Sequence, residues 1–249
     1  GFRSKADRNK LMNFKYEKQK IKKGFSFVIG CDEVGRGCLA GPVVAAAVIL
    51  NLGCKIYDLR GVNDSKVLKS EVREKLDEVI KENSIAWGVG IVGHRVVDKI
   101  NIHNASLLAM RKAVESLLDK NKGAIPEFLS ASEKISGIQK QVVAGPRRSD
   151  ALARDGSQAL LVIDGKFTIP NFNIQQEAVI GGDGKVLSIA AASIIAKVYR
   201  DNLMKEFDKH YPLYKLAKHK GYATLEHRTA IKEFGLSPLH RLSFCSQYS

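Results

Sequence analysis

Cys31-Asp32-Glu33-Val34-Gly35-Arg36-Gly37-Cys38-Leu39-Ala40-Gly41-Pro42 is the stretch around which the chain is organised. One apolar run, Phe25 to Gly30, leads into it, and a second, Val43 to Leu50, follows. Both read as strands, the first ending near Cys31, so two adjacent carboxylates stand where a strand gives way to a glycine-rich turn. Neighbouring side chains of a regular strand point to opposite faces. Asp32 and Glu33 therefore serve one site only if the strand ends there and the backbone bends. Gly35 and Gly37 permit that bend and leave the main chain bare for the close approach of a ligand. An isolated Asp-Glu pair is most often a solvated turn. The strand before this one, the arginine between two glycines and the prompt return of apolar sequence favour a site.

The charge of the chain points to a partner. Its 249 residues carry forty Lys and Arg against twenty-six Asp and Glu, a net +14, with 45% apolar residues for a substantial core. A balance this basic suits a polyanion, of which nucleic acid is the commonest, although a solvated basic surface gives the same count. Residues 1–23, with nine basic residues and two acids, read as a basic N-terminal arm. The main folded domain is expected over 24–245. The four cysteines, Cys31, Cys38, Cys54 and Cys245, have neither zinc nor redox spacing. No apolar run reaches the ~20 residues of a bilayer span, and no secretory signal is evident, so a cytoplasmic protein is expected.

Further along, Ser70 reads as the cap of a helix to about Ile80, and residues 85–92 as a third strand. Gly88, Gly90 and Gly93 spell Gly-x-Gly-x-x-Gly, but they lie within a strand instead of between strand and helix. No acid follows at the spacing a dinucleotide fingerprint requires. Residues 104–120 have helical periodicity, and 121–159 read as an insertion. Leu160 to Gly165 is a short strand ending in Asp164, and Ala178 to Gly184 repeats the pattern of apolar run, acid and glycine at Asp183. From Ser188 a long helix runs to about His210 before Pro212, with Lys197 and Arg200 on one face. A basic helical region follows, to about 245.

Asp32, Glu33, Asp164 and Asp183 make an oxygen-only set, suited to Mg²⁺ or Mn²⁺ and not to zinc. Two such ions ~4 Å apart can activate a water and stabilise a leaving oxygen in phosphodiester displacement. Gly35-Arg36-Gly37 and Tyr222 are candidates to read a sugar, and the 2′-hydroxyl is what separates RNA from DNA.

These motifs together resemble the type 2 ribonucleases H, in the bacterial form. The resemblance runs through Asp32–Pro42, Asp64-Ser65-Lys66, Val162-Ile163-Asp164-Gly165, Gly182-Asp183, Ser188–Lys197, His219-Lys220-Gly221-Tyr222-Ala223-Thr224 and His240-Arg241. It implies an α/β, ribonuclease H-like fold, a mixed central sheet flanked by helices with a helical C-terminal part. It implies Mg²⁺- or Mn²⁺-dependent cleavage of the RNA strand of RNA–DNA hybrids. It also implies incision 5′ to single ribonucleotides in duplex DNA, leaving 3′-hydroxyl and 5′-phosphate ends, by a monomer. By matching motif, Asp32, Glu33, Asp164 and Asp183 bind metal, Gly35, Arg36 and Gly37 contact the 2′-hydroxyl, and Tyr222 stacks on the sugar. Lys66, Lys197 and Arg200 are candidate phosphate contacts. The insertion, the basic arm and Cys38 depart from the family pattern. A non-catalytic nucleic-acid-binding protein and a hybrid-only, type 3-like enzyme are the alternatives.

Overall fold

The strand that carries the acidic pair is the middle of a sheet. In the computed structural model, which describes residues 13–54, 62, 69–118 and 158–248, five strands form it: β1 (Phe27–Val34), β2 (Val43–Leu50), β3 (Ser84–Val92), β4 (Ala159–Asp164) and β5 (Gln175–Val179). Their order is β3-β2-β1-β4-β5. β1, β2 and β3 form an antiparallel meander, whereas β4 and β5 run parallel to β1. The mixed sheet agrees with expectation, but β1 does not stop before the acids. It runs on through Asp32 and Glu33, which pair with Ala46 and Ala45.

Helices α1 (Lys15–Lys22), α2 (Ser70–Glu82), α3 (His94–Leu118), α4 (Leu187–His210), α5 (Leu216–His219) and α6 (Leu225–Phe234) complete the described chain. α3 covers one face of the sheet, packing Val97, Ala105, Ala109 and Ala113 with Ile29, Cys31, Ala45 and Ala47. α4 covers the other with a small-residue surface, Ala190 to Ala192 and Ala196, set among Ala46, Val48, Ile194 and Ile195. Glycines in the strands let both helices approach. A Cβ on Gly30 would overlap the backbone of Ser188 and Ile189, and one on Gly88 or Gly90 would overlap the backbone of α3. A helix does open directly after Gly93, at His94, ahead of the expected start at Asn104, and it breaks at Asn101 (φ 64°). Gly88 and Gly90 nevertheless serve packing, since the helix lies on them.

Two further boundaries change. The residue before α2 is Lys69, and Ser70 is inside the helix, its hydroxyl donating to Glu74 instead of capping. More consequentially, the C-terminal half of the expected basic arm is part of the domain. Phe14 is buried with α2 and α4, Ile21 packs on Val28 and Leu160, and the buried Glu17 accepts a hydrogen bond from the Ser188 amide at 2.9 Å. That amide belongs to the first turn of α4, whose early N–H groups have no partner within the helix and whose dipole favours an anion. Residues 119–157, nearly all of the expected insertion, and the Asp64-Ser65-Lys66 turn lie outside the described residues. No helix among the described residues is long and apolar enough to cross a membrane.

Candidate active site

The parallel pairing of β1 with β4 sets up the site. Cys31 lies opposite Ile163, so one further step along each strand brings Asp32 level with Asp164 where β4 ends. Strand alternation turns Asp32 towards α4, where the Ser193 hydroxyl bonds to it, and Glu33 to the opposite side. Both still line the same hollow of about 450 Å³, which lies at the end of β1 where Gly35 turns the chain out of the strand. A bend between the two acids is therefore not needed.

Asp164 is tied to the third acidic motif. Its Oδ1 accepts the Gly182 amide at 2.7 Å, holding the 3-10 turn Gly182–Gly184 that carries Asp183. Asp183 is partly exposed on that turn and is not among the residues that line the hollow. Among the described residues, no group of three or more His, Cys, Asp or Glu side chains is gathered closely enough to hold a metal ion as the side chains stand. Asp32, Glu33 and Asp164 instead share an open hollow at the strand ends. Burial, then the charges of Glu33 and Asp164, push the Asp32 carboxyl well above the usual carboxylate range. Burial also raises Glu33, against the opposing pull of Arg36, whose Nη1 donates to Glu33 at 3.0 Å.

The rim is basic and aromatic. Gly35, at φ +94°, turns the chain out of β1, and Gly35-Arg36-Gly37 line the hollow beside the acids. Tyr222, 39% exposed, stands on its wall. An antiparallel bridge from Cys38 to Tyr222 joins the two motifs, and Leu39 donates to the Gly221 carbonyl at 2.8 Å. Lys197 also lines the hollow, 5.8 Å from the Tyr222 ring centroid, with its ammonium on Asp201 at 2.6 Å.

Arg200 is elsewhere. It is fully buried, and its guanidinium donates to the carbonyls of Pro42 (2.9 Å), Lys220 (2.8 Å) and Ala40 (3.2 Å). With its donors turned onto backbone oxygens and no exposed surface, it is not the phosphate contact expected from its helix face; it clamps the glycine-rich turn against α4. Lys66 falls outside the described residues. Three polar residues of the site were not singled out in the sequence. Ser193 touches Asp32. Arg73 of α2 lines the hollow and pairs with Asp201 at 3.4 Å. Arg241, buried, donates to Gly41 and Arg36 carbonyls. Only Ser193 and Arg241 lay inside motifs that carried the resemblance.

The family model described as Ribonuclease HII matches residues 29–247. A curated Ribonuclease HII from Acetivibrio thermocellus is 42% identical over 233 residues, 94% of this chain and 75% of that protein. The crystal structure of the ribonuclease H2 from Pyrococcus horikoshii OT3 superposes with a TM-score of 0.55 at 21% identity, covering 89% of this chain and 96% of that one. A structure of Bst-RNase HIII in complex with Mn²⁺ gives 0.63 at 18% identity, over 89% of this chain and 68% of that one. The structural neighbours share the fold. The family match over nearly the whole described sheet, and the extent of identity to the curated relative, show that the chain belongs to the ribonuclease HII family.

Proposed function

We propose that this ribonuclease H cuts the RNA strand of RNA–DNA hybrids and also incises duplex DNA 5′ to a single embedded ribonucleotide, leaving a 3′-hydroxyl and a 5′-phosphate. The observation that carries the reading is the sharing of one hollow by Asp32, Glu33 and Asp164 with Gly35-Arg36-Gly37 and Tyr222. Acids for hydrolysis and groups for sugar recognition thus meet within one nucleotide's reach.

The residues fit a divalent cation. The donors are all oxygen, and the carboxyls of Asp32 and Glu33 are raised by burial and, for Asp32, by their mutual repulsion, a cost that a bound cation would offset. Mg²⁺ and Mn²⁺ accept a few carboxylates and retain water in their shells. Asp32, Glu33, Asp164 and Asp183 would hold the metal, as one ion or as the pair that two-metal phosphodiester hydrolysis uses. When bound, the metal supplies charge stabilisation and a more acidic water. The chain's own residues do the rest. Ser193 and the Glu33 amide, 2.7 Å from Asp32 Oδ1, fix the orientation of that carboxylate. Asp164 keeps the Asp183 turn near the strand ends. The bare backbone of Gly35-Arg36-Gly37 offers donors and acceptors to a 2′-hydroxyl, and the Tyr222 ring offers a stacking surface to the sugar. Lys197, beside that ring, is placed to meet a phosphate.

The test uses end-labelled duplex DNA carrying one ribonucleotide, an RNA–DNA hybrid and an all-DNA duplex, each with Mg²⁺, Mn²⁺ or EDTA. The expected result is a single metal-dependent cut 5′ to the ribonucleotide, cleavage of the hybrid and an intact all-DNA control. Cleavage of the hybrid alone would contradict the single-ribonucleotide specificity. Salt-sensitive binding without a cut in either metal would contradict the hydrolytic reading.

A further inference from the structure

Beneath Tyr222 lies a buried cluster that the proposed chemistry does not use. His219 and His227 stack with centroids 4.2 Å apart. His227 Nε2 and His240 Nε2 are 3.1 Å apart, and all three side chains are buried. The backbone around them fixes every ring's tautomer. His227 Nδ1 faces the Tyr222 carbonyl at 2.9 Å and must donate, which leaves its Nε2 as acceptor and requires His240 Nε2 to donate to it. His240 Nδ1 is then an acceptor, and the Ser237 amide meets it at 2.9 Å. His219 Nε2 faces the Tyr214 carbonyl at 2.7 Å and donates, while its Nδ1 accepts the Gly221 amide at 3.2 Å. The assignment closes with all three rings neutral, so protonation of any one would set two donors against each other.

The turn these rings hold is one the backbone does not favour alone. Lys220 and Gly221 both have positive φ, 54° and 81°. Each polar backbone atom leading to the Tyr222 ring is met: the Lys220 carbonyl by Arg200, the Gly221 amide by His219 and the Tyr222 carbonyl by His227. We propose that His219, His227 and His240 form a neutral, tautomer-locked relay that positions Tyr222 against the substrate sugar, with His227 as the positioning residue in contact with it. This rests on the reading of Tyr222 as the sugar-contacting residue. Burial, the main cause, pulls the pKa values of His227 and His240 down to about 4, consistent with neutral rings.

A double-mutant cycle tests the proposal. Cleavage of an RNA–DNA hybrid is measured as kcat/KM for the wild type, Tyr222→Ala, His227→Leu and the double variant. Tyr222→Ala is expected to lose about tenfold, within the range of an aromatic stack. His227→Leu is expected to lose about as much, as befits one lost buried hydrogen bond, and the double variant no more than Tyr222→Ala alone. His227→Asn, whose amide can donate where Nδ1–H did, should recover most of the loss. Should His227→Leu not fold, His227→Gln, which carries its donor past the Tyr222 carbonyl, replaces it in the cycle. Losses that multiply, or wild-type kcat/KM in His227→Leu or in the His227→Gln that replaces it, would overturn the relay while leaving the Tyr222 reading standing. Wild-type cleavage by Tyr222→Ala would overturn the Tyr222 reading itself, and the relay's role with it.

Discussion

Asp32 is the residue at which stability and activity oppose each other. Its carboxyl is raised by burial and by two neighbouring carboxylates, so keeping it ionised near neutrality costs the metal-free fold. The sign follows from linkage: with the folded pKa above the unfolded one, neutralisation stabilises. Asp32→Asn is therefore predicted to raise the melting temperature of the metal-free protein by a few degrees, roughly the shift about 1 kcal/mol gives in a domain of this size. The same variant is predicted to lose on the order of 10³-fold in hybrid cleavage, the scale on which lost electrostatic stabilisation is felt. Thermal melts in EDTA and single-turnover cleavage check the two halves. Lys197 and Arg200 make a second contrast. Lys197→Ala is expected to weaken substrate binding and lower its salt dependence by about one counterion. Arg200→Ala, which strands three carbonyls, is expected to destabilise by about 3 kcal/mol, read as a shifted urea midpoint.

At the scale of the elements, α1 and α4 are joined by a cap supplied from a distance. Glu17 Oε1 accepts the Ser188 amide across 171 residues of sequence. Glu17→Ala is predicted to cost about 1–2 kcal/mol, the range of a lost helix cap. Glu17→Gln keeps an acceptor and removes a buried charge whose pKa burial has raised, so it is predicted to cost less. Urea unfolding of both variants checks this. The long apolar elements were legible in the sequence: α4, β2 and the Asp164 strand lie where periodicity and flanking Pro or Gly put them. The misses have a common physical origin in long-range contacts. In sequence Lys197 and Arg200 are equivalent, three residues apart on one helix. Only the carbonyls of Ala40 and Pro42, brought in by the glycine-rich turn, decide that one is buried. Helix α1 reads as a charged arm because its few core residues, Phe14, Glu17 and Ile21, find their partners only in the folded sheet and α4. The first turn of α3 was hidden because Gly93 belongs to a glycine pattern that packing, and not a ligand, explains.

The whole molecule is a mixed sheet with α3 on one face and α4 on the other, its strand ends opening on the acids and its C-terminal helices holding Tyr222 over them. The histidines of that C-terminal part add a pH dependence to the fold. His227 and His240 have folded pKa values lowered from 6.5 to about 4. Between those values the unfolded chain binds more protons. Their contribution to stability is fully present above about pH 6.5 and is lost as pH falls towards 4. His240→Leu should therefore flatten the fall in urea midpoint between pH 6.5 and 4, while an unchanged slope would contradict the assignment of that fall to these rings. The account's central claim is that the buried, mutually repelling carboxylates at the strand ends are kept together to hold a divalent cation. The most direct measurement is a calorimetric titration of Mn²⁺ into the wild type, Asp32→Asn and Asp164→Asn. Saturable binding with proton release in the wild type, lost in both variants, is the predicted result. Wild-type affinity in either variant would contradict it.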